Sequence, residues 1–124
     1  MTLTDFLLAR ISEREMLARD LRHQAYSGPL PLLSLGGGTL LRDLLDPEQM
    51  LAECAAKRRI VEHLGDAERG VARARRLLDR EGDSRDAQEA EFAADAKLDA
   101  VMCIAKHVAG IYASHEDFDE DWRV

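Results

Sequence analysis

Met50, Lys57, Leu64, Val71 and Leu78 recur every seven residues, and this register limits the possible folds more than any other feature of the chain. Ile60, Ala67 and Ala74 keep the same interval. Side chains repeating near 3.5 residues line one stripe of an α-helix, whereas a strand alternates its faces every second residue. The register passes through Gly65, and one interior glycine costs only about 1 kcal/mol, too little to break a helix this long. Asp46 supplies an N-cap, Pro47 takes the first helical position and Gln49 stands at N3, so the helix is predicted over about 47–81. Gly82-Asp83-Ser84 makes a turn with Ser84 as the next N-cap. A second helix follows over about 85–113, burying Ala90, Ala93, Ala100, Val101, Ile104, Ala105, Val108, Ile111 and Tyr112. Long helices joined by so short a turn are antiparallel neighbours.

Upstream, Thr2 and Asp5 form a capping box. Leu3, Leu7, Ile11, Ala18, Leu21 and Ala25 then repeat at helical spacing, with Phe6 and Leu17 widening the stripe, giving a first helix over about 3–26. Ser27-Gly28-Pro29 ends it, because proline disfavours helical geometry in the residue before it. Residues 27–45 are an apolar, glycine-rich connector. Its "LPLLSLGGG" lacks the lysine and spacing of a phosphate-binding loop, and a short turn of helix is expected at 40–45. The expectation is an all-α fold in one domain, 1–124: a long antiparallel helical hairpin, an N-terminal helix packed beside it, and an ordered C-terminal strap at 114–124.

Aromatic residues make up only 5% of the chain, so the core must come from Leu, Ala, Val, Ile and Met, residues that suit packed helices. The net charge of −7 disfavours wholesale binding to nucleic acid or to an acidic membrane. The charge is segregated, however. Residues 57–80 hold eight basic and four acidic side chains, 81–100 two basic and seven acidic, and 113–124 one basic and five acidic. Cys54 and Cys103 lie far apart within helical patterns, which fits reduced thiols rather than a disulfide framework or a metal knuckle. Charges interrupt every apolar run well short of a membrane span and no signal peptide opens the chain, so a cytoplasmic protein with no membrane association is expected.

Arg69, Arg73, Arg76 and Arg80 fall at i, i+4, i+7 and i+11, within about 60° of arc on a helix of 3.6 residues per turn. Such a stripe is either a solvated face or a binding surface for an acidic partner, since guanidinium groups suit carboxylates and phosphates. Nucleic acid is the weaker form of that reading, because no aromatic platform accompanies the arginines. Glu91, Asp95 and Asp99 make an opposite stripe on the last helix. Both stripes would point out of the hairpin, which leaves room for charge complementarity between two copies. Lys57, amid apolar neighbours, reads as a snorkelling side chain. The ending "YASHEDFDEDWRV" gathers His115 and five carboxylates. It lacks the turn glycine and twelfth-position glutamate of a calcium loop, and His107 with His115 does not have the spacing of a zinc site. Neither a metal nor another cofactor is expected, and no catalytic constellation emerges.

"DPEQMLAECAAKRRIVEHL" (46–64) and "YASHEDFDEDWR" (112–123) together resemble a family of small proteins of actinobacteria and their phages, built on a domain of unknown function. Members look similar in a short amphipathic opening helix, an Asp-Pro start leading to Ala-Lys-Arg-Arg-Ile, and a Tyr-Ala-x-His-x-Asp-aromatic ending with Trp. The matching positions here are Asp46, Pro47, Lys57, Arg58, Arg59, Ile60, Tyr112, Ala113, His115, Asp117, Phe118 and Trp122. Where the family has a Trp after Gly-Pro and a polar insert, this chain has Leu30 and a short apolar loop. The resemblance implies no activity. Tyr112, His115, Phe118 and Trp122 lie three, three and four residues apart, which puts the rings on one side of a final wrap, with the carboxylates outward or toward Arg58 and Arg59. The reading is a non-enzymatic helical interaction or regulatory protein, phage- or prophage-related, acting as a homodimer or on a protein partner. Its candidate contacts are the four arginines with His115, Phe118 and Trp122. The alternatives are a small metal-dependent enzyme or factor built on the His115 cluster and a nucleic-acid-associated protein built on the arginine stripe.

Overall fold

A computed structural model describes residues 1–26, 34–35, 39–40, 46–82 and 84–124. Among them the fold is all-α, with three α-helices: α1 (Leu3–Tyr26), α2 (Pro47–Glu81) and α3 (Arg85–Gly110). A 3₁₀ turn, Glu120–Trp122, closes the chain. The helix starts follow local chemistry. Thr2 Oγ1–H donates to Asp5 Oδ2 at 2.7 Å and Thr2 N–H to the same oxygen at 3.2 Å, bonds that hold the Asp5 carboxyl below its usual range, while Asp5 N–H donates back to Thr2 Oγ1 at 3.1 Å, a reciprocal capping box. Glu48 N–H donates to Asp46 Oδ1 at 3.0 Å and Ala87 N–H to Ser84 Oγ at 3.2 Å. α2 is continuous through Gly65. It is followed by Gly82 with φ +68°, a left-handed conformation that glycine adopts without steric cost.

Two expectations are corrected, and a third meets a single described residue: of the helical turn expected at 40–45, Leu40 is extended, in a segment Thr39–Leu40 paired antiparallel with Ser34–Leu35 in the register Ser34↔Leu40 and Leu35↔Thr39, and the rest of the connector, with Asp83, lies outside the described residues. α3 stops at Gly110, and residues 111–117 follow as successive turns rather than as more helix. The face that α3 buries is also rotated. Ala87, Ala105 and Ala109 are buried, whereas Ala93, Ala100, Ile104 and Ile111 are exposed. α3 carries apolar residues over more than half its circumference, so periodicity alone does not decide which face turns inward.

The chain divides into two compact units, Leu8–Arg58 and a second made of Met1–Leu7 with Arg59–Val124. In the first, α1 contributes Ile11 and Ala18 to the interior and α2 contributes Met50 and Cys54. The Cys54 thiol lies 3.9 Å from the Ile11 carbonyl oxygen, and burial pushes its pKa up. Arg58 forks onto Glu15, its Nε and Nη2 donating at 2.7 and 2.8 Å, and Nη2 also reaches Ser12 Oγ at 3.2 Å. These bonds hold the Glu15 carboxyl below its ordinary range. In the second unit, Leu64, Ala67, Val71 and Ala74 of the predicted register are buried, with Val61 beside them, while Ile60 and Leu78 are half-buried.

Candidate interaction sites

The C-terminal segment is organised by a residue at the other end of the chain. Phe6, fully buried in the first turns of α1, is ringed by four residues of the tail. Its ring centre lies 6.3 Å from that of Tyr112, 5.9 Å from His115, 6.0 Å from Phe118 and 4.9 Å from Trp122. Phe118 and Trp122 meet edge to face at 5.8 Å, a geometry that the ring quadrupoles favour. Backbone bonds hold the wrap: His115 N–H to Tyr112 O at 2.9 Å, Phe118 N–H to His115 O at 3.0 Å and Trp122 N–H to Asp119 O at 3.0 Å. The 3₁₀ turn lies against α3, where Lys106 Nζ donates to Asp121 O at 2.9 Å. Asp119 caps that turn by accepting from Asp121 N–H at 3.0 Å. Arg123 clasps Glu120 at 2.7 and 3.0 Å, which lowers the Glu120 pKa and raises that of Arg123.

The tail residues singled out by sequence therefore converge on one buried ring. Trp122 keeps 9% of its surface, His115 and Phe118 are half-buried, and Asp119, Glu120 and Asp121 face solvent. Of the two directions expected for the tail carboxylates, Asp119, Glu120 and Asp121 take the outward one, and Arg58 forks onto Glu15. His115 Nδ1 accepts the Asp117 N–H at 3.1 Å. Asp117 Oδ2 lies 3.9 Å from the same ring nitrogen. Among the described residues no three of His, Cys, Asp and Glu are placed to hold a metal ion. The one close Cys–His pair is also not arranged for nucleophilic chemistry: Nδ1 of His107 is 2.8 Å from the Cys103 carbonyl oxygen and donates there. It is therefore a donor, unable to take a proton from the Cys103 thiol at 3.7 Å.

The arginine stripe lies on the outer side of α2, all four residues exposed. Arg69 is paired with Asp66, whose carboxyl is held low by that bond and, more weakly, by the charge of Lys97 on α3. Arg73, Arg76 and Arg80 have no ion-pair partner among the described residues. They border a groove of about 740 Å³ between α2 and α3, floored by Gly70, Ala74, Leu77, Ala90 and Ala94. From that floor a seam spaced four and three residues apart runs along α3 and past its end: Ala90, Ala94, Lys97, Val101, Ile104, Val108 and Ile111. Ile104 and Ile111 on it are 51% and 65% exposed. Farther round α3, Phe92 is 78% exposed. Sequence reasoning named the arginines but missed the groove floor beside them. The signal was present, because the heptad spacing of 90, 97, 104 and 111 marks a seam of its own; it was merged with the buried face of α3.

Fold and surface together define a small all-α protein with a basic rim and an apolar seam open to solvent among the described residues. The chain belongs to the Family of unknown function (DUF6221), whose model matches residues 1–124. No curated protein and no solved structure matches it.

Proposed function

We propose that the protein is a non-enzymatic interaction module that binds other protein surfaces through the open side of the α2–α3 hairpin. The observation that carries this reading is the apolar seam on α3, with Ile104 and Ile111 more than half exposed. Exposed large aliphatic residues in a row, rimmed by charge, mark a surface built to be covered. Trp122 and Phe118 act in support, because their rings are engaged with Phe6 and reach a partner only if the wrap unpacks. A cytoplasmic setting is supported by two free thiols, one buried and one exposed, which suit a reducing compartment. No helix among the described residues is long and apolar enough to cross a membrane. The two sequence blocks at 46–64 and 112–123 support an actinobacterial or phage source.

The test is affinity capture from the native host with the wild-type chain beside Ile104→Asp and Ile111→Asp variants whose helicity matches wild type. A protein held stoichiometrically by wild type and lost from both variants is the expected result. Capture of nothing, with no self-association, refutes the reading; so does a partner that both variants retain.

A further inference from the structure

We infer that the occupant of this face is a second copy of the chain, docked hairpin on hairpin as a four-helix bundle about a two-fold axis parallel to the helices. The inference rests on the reading that the open side of the hairpin is an interaction surface, and it names the partner. Beside the groove, two helices in one layer bury only the stripe between them. Here that stripe is made largely of small residues, Ala67, Val71 and Ala74 on α2 and Ala87 on α3, while Leu77 is only half-buried beside the groove. A helical pair in this state gains by acquiring a second layer. The face is large enough to hold one. From Ala90 to Ile111 it runs about 33 Å at 1.5 Å per residue, and two helices about 10 Å wide make about 660 Å² per copy. Two copies would hide about 1,300 Å², within the range of specific stable interfaces.

Charge selects both the partner and the symmetry. Around the groove α2 carries Arg73, Arg76 and Arg80 against one acid, Asp79, whereas α3 carries Asp86, Glu89 and Glu91 against Arg85 at the same level. Ala74 shares the groove floor with Ala90 and Asp66 feels the charge of Lys97, so numbering rises along one helix as it falls along the other. Arg76 and Arg80 consequently lie within a helical turn of the level of Glu89 and Asp86, all four exposed. Within one copy these groups sit on neighbouring helices and form no ion pairs with one another: Glu89 is bonded to Arg85 at 2.9 Å. A two-fold axis across the hairpin would lay α2 on the partner's α2 and oppose like charges. An axis along the hairpin lays α2 on the partner's α3, antiparallel, and brings Arg76 and Arg80 to the partner's acidic turn. Complementary potentials at an interface fix register and suppress the wrong pairing. The segregation of charge between the two helices thus becomes a device for choosing this dimer over its alternative.

The experiment measures mass by light scattering after size exclusion, from 1 to 200 μM, for the full chain and two charge-reversed variants, Arg76→Glu/Arg80→Glu and Asp86→Arg/Glu89→Arg. Circular dichroism and melting temperature serve as folding controls. Wild type should run at twice the 13.9 kDa of the chain. Each variant alone should weaken the dimer at least tenfold, and an equimolar mixture of the two should restore it as a heterodimer. Wild type at the monomer mass throughout overturns the inference, as does a dimer indifferent to both reversals or a mixture that fails to recover. If the chain is monomeric yet host capture still depends on Ile104 and Ile111, the occupant is another protein: the second-copy inference falls while the interaction surface stands.

Discussion

Replacing Trp122 with alanine probes whether the C-terminal wrap belongs to the fold. Trp122 keeps 9% of its accessible surface and lies 4.9 Å from the fully buried ring of Phe6. A tryptophan buries about 150–250 Å², which at about 25 cal/mol per Å² is roughly 4–6 kcal/mol. A compact denatured chain hides about 10–40% of that area already, so the net loss should be about 3–5 kcal/mol, the range measured for large-to-small changes in cores. Phe6→Ala should cost a similar amount. Because both substitutions remove the same contact, the double variant should fall short of the sum by about 1 kcal/mol or more. Urea unfolding followed by circular dichroism at 222 nm reads this directly: with a slope of about 1.5 kcal/mol per molar, the midpoint drops by about 2 M or more. The triple change Asp119→Asn, Glu120→Gln, Asp121→Asn should cost less than about 1 kcal/mol, because these groups are exposed and Asn keeps the cap on the 3₁₀ turn. A Trp122→Ala midpoint within about 0.3 M of wild type would refute the reasoning. It would mean that the wrap rests on the helices without stabilising them, leaving its aromatics free for recognition.

Stability should fall in acid partly through Glu15: its carboxyl is held below the ordinary 4.5, so its contribution is complete above that value and lost as pH falls through the lower folded pKa. Glu15→Gln should flatten this acid limb of the melting curve and cost about 1–2 kcal/mol at pH 7, since the partly buried Arg58 loses a forked, charge-assisted partner. Gly65→Ala should stabilise the protein by about 0.5–1 kcal/mol. The added methyl meets only the mobile end of Arg69, at 3.3 Å, and thermal melting would show whether the glycine serves the helix instead. Gly82→Ala should do the reverse, by about 1 kcal/mol, because φ is +68° there. Of the two thiols, exposed Cys103 should react with a thiol reagent in the native state, whereas Cys54, buried and with a raised pKa, should react only on unfolding; two equal fast phases would contradict that placement.

Much of the secondary structure was legible in the residues because it depends on neighbours a turn or less away. Asp46-Pro47, Ser84 and the Thr2–Asp5 pair act on backbone groups beside them, and the seven-residue register of α2 needs only that one side of a helix be apolar. The all-α class follows from those local facts. The meeting of Phe6 with Trp122 does not, for it joins the two ends of the chain, and no periodicity measures that distance. The spacing of Tyr112, His115, Phe118 and Trp122 showed that the rings share a side, but only packing supplied the ring they enclose. The same limit explains the misread face of α3. Two apolar seams lie next to each other on that helix, each acceptable to local rules. The arrangement that buries Ala87, Ala105 and Ala109 leaves Ile104 and Ile111 in the open, because only the tertiary contacts with α2 and the C-terminal wrap determine which seam is covered and which remains for a partner.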